Sequence, residues 1–214
     1  MRIAIYDLDG TLLAGSTFTP FLVFAAARLA PGRLALFPIW AALLVAHKLG
    51  AIERTELKHR GMGLMLGRPS ADRLADVAAA FARVRLRRLF PGARRMLEAD
   101  ATEGQTRVIA TAAYSLYAEL LASALGIEHL VASCWTDEGA PSPNCYGAEK
   151  LARVQAWLEE KGIDRGQVHM RFVSDSFADA PMLDWADEAW FVTRSASKAK
   201  RAEARGWQAV DFSR

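Results

Sequence analysis

The chain has 214 residues, 52% apolar and 24% charged, which is enough to bury a full core and excludes both a disordered chain and a small metal- or disulfide-stapled scaffold. Lys and Arg exceed Asp and Glu by only 27 to 24, so the net charge of +3 gives no general case for binding nucleic acid. Cys134 and Cys145 fit no zinc spacing, no Cys-x-x-Cys motif and no disulfide framework, and a reducing cytoplasm is the expected compartment.

In chain order, residues 3–6 form a short apolar run that reads as a buried strand and leads directly into a polar motif. That leaves no room for the charged, apolar and cleavable regions of an export signal. The motif, Asp7-Leu8-Asp9-Gly10-Thr11, puts two carboxylates two residues apart at the carboxyl end of the strand, where open α/β sheets bind their ligands. Crowded carboxylates repel and need a cation or a proton between them, and a magnesium ion coordinated by hard oxygens supplies the cation.

From residue 15 to 89 the pattern is helical throughout, which predicts an inserted all-helical cap. Runs 18–27 and 34–46 are apolar over most of their circumference, and Pro31-Gly32 marks a turn between them. The longer run reaches only ~20 Å, short of the ~30 Å hydrocarbon core of a bilayer. The pair could pack as a buried hairpin, lie in a membrane interface or meet another subunit; at a membrane, Phe37 and Trp40 are the side chains expected to insert. Arg83, Arg85, Arg87, Arg88, Arg94 and Arg95 form either a solvated face or a patch for phosphates or an anionic membrane.

Pro91-Gly92 then opens a helix over 93–99. Further short apolar runs at 107–110, 171–174 and 189–192 read as strands, alternating with helical segments 116–125, 149–161 and 197–205. The fold class expected is α/β: a Rossmann-like doubly wound parallel sheet formed by residues 1–14 and 90–214, with the cap at 15–89.

Three further features accompany the first motif. Thr111 ends the second apolar run, Lys150 opens a helix, and Asp175 ends the run 171–174, with Asp179 four residues later. In this order and at these strand and helix ends, the set resembles the haloacid dehalogenase superfamily. The phrases Ser174-Asp175-Ser176-Phe177-Ala178-Asp179 and Asn144-Cys145-Tyr146-Gly147-Ala148-Glu149-Lys150, with a cap between the first and second motifs, are most similar to its subfamily IB, the branch of the phosphoserine phosphatases.

The resemblance implies a phosphatase in which Asp7 attacks phosphorus and forms an aspartyl phosphate, while Asp9 serves as general acid and then base. It implies Mg2+ held by a carboxylate oxygen of Asp7, the backbone carbonyl of Asp9 and Asp175. Thr111, Lys150 and backbone amides at Leu8 and Ala112 would bind the phosphoryl oxygens. Gly10, Thr11 and Asp179 would support them, although Asp179 could instead cap the helix that follows it.

Asp9 argues for a phosphate ester, since dehalogenases and phosphonatases need no acid to protonate an ester oxygen; an alcohol acceptor in place of water stays open. Phosphoserine phosphatases carry a glutamate nine residues after the nucleophile, where this chain has Ser16, so a substrate ammonium would find no counter-charge. The substrate expected is a small soluble phosphomonoester other than phosphoserine. The alternative is a phosphorylated lipid, because Ser16-Thr17-Phe18 and the apolar segment beyond are similar in layout to phosphatidylglycerophosphate phosphatases. A non-catalytic binding module would be expected to have lost Asp7, Asp9, Lys150 or Asp175, and all four are present. The four histidines fall in no motif, and five of the six tryptophans lie where packing is expected, with Trp40 on the cap apart from them.

Overall fold

The computed structural model describes residues 1–135 and 142–213. Strand β1 (Arg2–Tyr6) is followed by four helices, α1 (Phe18–Leu29), α2 (Phe37–Lys48), α3 (Arg54–Leu66) and α4 (Ala71–Arg85). Then come α5 (Pro91–Thr102), β2 (Thr106–Tyr114), α6 (Ser115–Ala124), β3 (His129–Ser133), α7 (Ala148–Glu160), β4 (His169–Ser174), α8 (Ala180–Trp185), β5 (Glu188–Val192), α9 (Ala196–Glu203) and β6 (Gln208–Val210). The six strands form one parallel sheet in the order β3-β2-β1-β4-β5-β6. This is the doubly wound α/β arrangement, in which the chain leaves β1 toward one edge and returns beside it as β4, opening a crevice at the strand ends there.

Side-chain alternation explains why both faces are covered. Ala4, Tyr6, Ile109, Val173 and Val192 point to one face, under α5, α6 and the four helices after β1. Ile3, Ile5, Val108, Phe172 and Phe191 point to the other, against α7, α8 and α9. Strands buried on both sides read as continuous apolar runs, which is why β1, β2, β4 and β5 were expected. β3 and β6 were not: both are sheet edges, and β6 is three residues long.

The helices after β1 do not stand apart from the sheet. Phe21 of α1, Phe81 of α4 and Tyr117 of α6 pack with ring centroids 4.8 to 5.4 Å apart, and one apolar cluster runs from α1 through α4 and α6 to the strands.

Three expectations need correction. The run 34–46 is not one helix: a 3-10 turn over Pro31–Leu36 precedes α2, and Pro38 sits in the first turn of α2, where its missing N–H costs nothing. Trp40 is fully buried, edge-on to Phe18 and against Gly61, so it belongs to the core and has no face to offer a membrane. Among the described residues no helix is long and apolar enough to cross a membrane. Arg85, grouped above with a surface patch, is buried and donates to the carbonyls of Ala14, Gly15 and Ser16.

Candidate active site

β1 ends at Tyr6 and its ladder runs one residue further, the Asp7 amide donating to Val173 O. Gly10, at φ 81°, then turns the chain back; a side chain there would overlap the carboxylate of Asp175. The turn is closed by the amides of Leu12 and Leu13 donating to Leu8 O. Thr11, fully buried, accepts from the Asp175 amide at 3.0 Å and so joins the end of β1 to the end of β4.

A cavity of about 280 Å3 lies over these strand ends. It is lined by Asp7, Asp9, Gly10, Thr111, Ala112, Lys150, Asp175 and Asp179, eight of the ten residues expected from the sequence. Leu8 and Thr11 lie beneath it with buried side chains. Thr111 differs in one respect: it does not end β2, which continues past an irregularity to Tyr114. Its hydroxyl accepts from the Ala113 amide at 3.0 Å and keeps its own proton free to donate.

Lys150 enters from the first turn of α7 and is fully buried. Its Nζ lies 2.8 Å from Asp7 Oδ1 and 2.6 Å from Asp179 Oδ2. Asp179 accepts in turn from Ser174 Oγ at 2.8 Å and from the Gly147 amide at 3.4 Å. It makes no side-chain cap to α8. Burial alone would pull the Lys150 ammonium down, but the two carboxylates more than offset it and its pKa rises, which keeps the charge. The Asp7 carboxyl is raised, first by burial and then by Asp179 and Asp175, against the lowering effect of Lys150. Asp175 is raised by burial as well.

Asp9 has two unlike oxygens. Oδ2 accepts from both the amide and the hydroxyl of Thr17, each at 3.0 Å, whereas Oδ1 is buried without a partner. Burial raises its pKa, and the two Thr17 bonds, with Arg85 and Lys58, act the other way.

Two basic residues at or beside the cavity had no signal in the sequence. Arg54, in the first turn of α3, lines it with its guanidinium 4.0 Å from the Tyr146 ring. Lys58, one turn on and buried, donates to Ala112 O at 2.5 Å and Asn144 Oδ1 at 2.8 Å. Burial drops its pKa to about 7, opposed by Asp9. In the sequence both look like helix-surface cations, and only the packing of α3 over the strand ends turns them inward.

The family model for haloacid dehalogenase-like hydrolases matches residues 4–184, a span that contains every one of these side chains. The chain belongs to this family. No curated protein matches this hydrolase. Among solved structures it is similar to a protein of unknown function from Bordetella pertussis Tohama I, at 26% identity and a TM-score of 0.84, with 99% of this chain and 98% of that one covered. A phosphoserine phosphohydrolase-like protein from Francisella tularensis shares the fold at 15% identity and a TM-score of 0.62, over 98% and 95% of the two chains. A substrate-bound phosphoserine phosphatase does so at 11% identity and 0.63, over 99% and 92%.

Proposed function

We propose that this hydrolase is a magnesium-dependent phosphatase that cleaves phosphomonoesters through an aspartyl phosphate on Asp7. One observation carries the reading: a buried lysine held between Asp7 and Asp179 at the switch point of the sheet, beside an Asp9 carboxyl with one free oxygen. The likeness to phosphoserine phosphatase folds is in keeping with it.

The donor set fits magnesium. Asp7, Asp175 and Asp179 place three carboxylates around the single ammonium of Lys150, an excess of negative charge made of hard oxygens. Among the described residues no three His, Cys, Asp or Glu side chains form a ready metal cluster, so the holders we assign are Asp7, Asp175 and the backbone carbonyl of Asp9. Bound there, magnesium would neutralise the carboxylates and draw negative charge from the phosphoryl oxygens.

In the first step a carboxylate oxygen of Asp7 forms a bond to phosphorus as the ester oxygen leaves, and Asp9 Oδ1 gives that oxygen its proton. In the second, Asp9 takes a proton from water, which attacks phosphorus, releases Asp7 and leaves inorganic phosphate. Lys150 and the Thr111 hydroxyl would hold the phosphoryl oxygens, with backbone amides at Leu8 and Ala112. Thr17 holds Asp9 through Oδ2 and leaves Oδ1 without a partner, the oxygen we assign to the proton transfers. Asp179, Gly10 and Thr11 act through their neighbours: the first positions Lys150, the other two Asp175.

The substrate class we assign is a small phosphorylated molecule. Ser16 lines the cavity where an ammonium counter-charge would be wanted, while Arg54 lines it as a cation, and this disfavours phosphoserine. A phosphorylated lipid is the second reading, favoured by the apolar face that α2 leaves exposed. The free thiols of Cys134 and Cys145 are in keeping with a reducing cytoplasm. The test is turnover of an aryl phosphate with magnesium. The wild type should be active and Asp7→Asn inactive, and turnover by Asp7→Asn at the wild-type rate would overturn the assignment.

A further inference from the structure

An ordinary surface helix turns a polar face to water. α2 does not. Phe37, Ile39, Ala42, Val45 and Leu49 are exposed on its outer half and at its end, with Leu49 80% exposed, and Lys48 is the one exposed charge among them. With Val23 of α1, these include five of the eight large apolar side chains that the described residues leave exposed.

The charge along this part of the chain is equally one-sided. From Gly10 to Ile52 the chain has no Asp or Glu, while Arg28, Arg33 and Lys48 lie in that stretch. Among the described residues none of the three forms an ion pair; Arg28 donates to Phe24 O, and Arg33 to the carbonyls of Gly63 and Leu64. Two copies meeting through α2 would bring these unpaired cations together, with no carboxylate from residues 10–52 to offset them. An anionic lipid surface supplies what the face lacks, negative headgroups for the cations and an acyl boundary for the apolar side chains.

We infer that the outer face of α2, flanked by Arg28, Arg33 and Lys48, docks this protein on anionic membranes as a peripheral protein. Docking does not depend on the chemistry at Asp7, so a protein that binds vesicles without hydrolysing phosphate esters would fail the previous section and not this one.

The test is flotation of the full chain with phosphatidylglycerol vesicles and with phosphatidylcholine vesicles, alongside its mass by light scattering. Binding to the anionic vesicles is expected, and Val45→Ser with Leu49→Ser should weaken it by about tenfold or more, since each side chain loses most of its burial in the acyl region. Both side chains are already exposed, so the variant should fold and turn over a soluble aryl phosphate as the wild type does. Equal binding to phosphatidylcholine, no binding to either vesicle, or a dimer that the double variant dissolves would overturn the inference.

Discussion

Asp179→Asn separates a residue that positions Lys150 from one that holds metal. The carboxylate is 1% exposed and accepts three bonds, from Lys150, Ser174 and the Gly147 amide. Asparagine keeps its shape but replaces the ion pair with Lys150 by an ammonium–amide hydrogen bond and turns an N–H toward the Gly147 amide, a loss of about 1–2 kcal/mol. Asp179→Ala leaves three donors short of a partner, the buried Lys150 and Ser174 and the part-buried Gly147 amide, and should cost about 3–5 kcal/mol of stability. If the asparagine loss falls on the transition state, kcat drops roughly tenfold, by the ~1.4 kcal/mol per decade of rate. The assay is aryl phosphate turnover across a magnesium titration, paired with denaturant unfolding. Positioning predicts lower kcat with the magnesium midpoint within about twofold of wild type. A midpoint raised tenfold or more, with kcat intact at saturating metal, would show Asp179 to be a ligand and refute the reasoning.

Asp9→Asn should retain more rate on an activated aryl phosphate than on an alkyl phosphate, because only the poor leaving group needs its proton; equal losses measured on both would count against Asp9 as the acid. With metal chelated, stability should fall as pH rises from about 4 toward neutrality. Carboxyls whose folded pKa is raised, as Asp7 is to about 7 and Asp9 and Asp175 are in direction, stabilise the fold fully below the ordinary carboxylate value and lose that stabilisation through the raised one. Thermal unfolding with and without magnesium at pH 5 and 7.5 checks this, and the gain from magnesium should be larger at pH 7.5. Trp40→Ala should lose about 3–5 kcal/mol, read by denaturant unfolding, whereas Leu49→Ser should change stability by less than about 0.5 kcal/mol.

What could be read in the sequence was what depends on local pattern. Strands with both faces covered stand out as apolar runs, and Asp7, Asp9, Lys150 and Asp175 sit at strand and helix ends that such runs mark out. Edge strands β3 and β6 lack that contrast. Trp40 shows the other limit: on an apolar helix, sequence alone does not tell which arc faces inward, and Gly61 opposite is what leaves room for the indole. Arg54, Lys58 and Arg85 look like solvent-facing cations until α3 and α4 are folded over the end of β1. Their partners are backbone carbonyls, an amide oxygen and an aromatic ring, which no spacing rule connects to them.

The aromatic seam between α1, α4 and α6 bears on how a substrate gets in. Parting Phe21 and Phe81 from Tyr117 would return three large buried rings to water, at several kcal/mol. Across the cavity, α3 meets the sheet side through polar contacts, Lys58 with Ala112 and Asn144, and Thr55 Oγ1 with the Asn144 amide at 3.2 Å. Water can replace these at far lower cost. Opening the cavity would therefore cost less at α3 than at the aromatic seam, so the polar side is where the entrance would widen to take a substrate larger than the resting cavity admits.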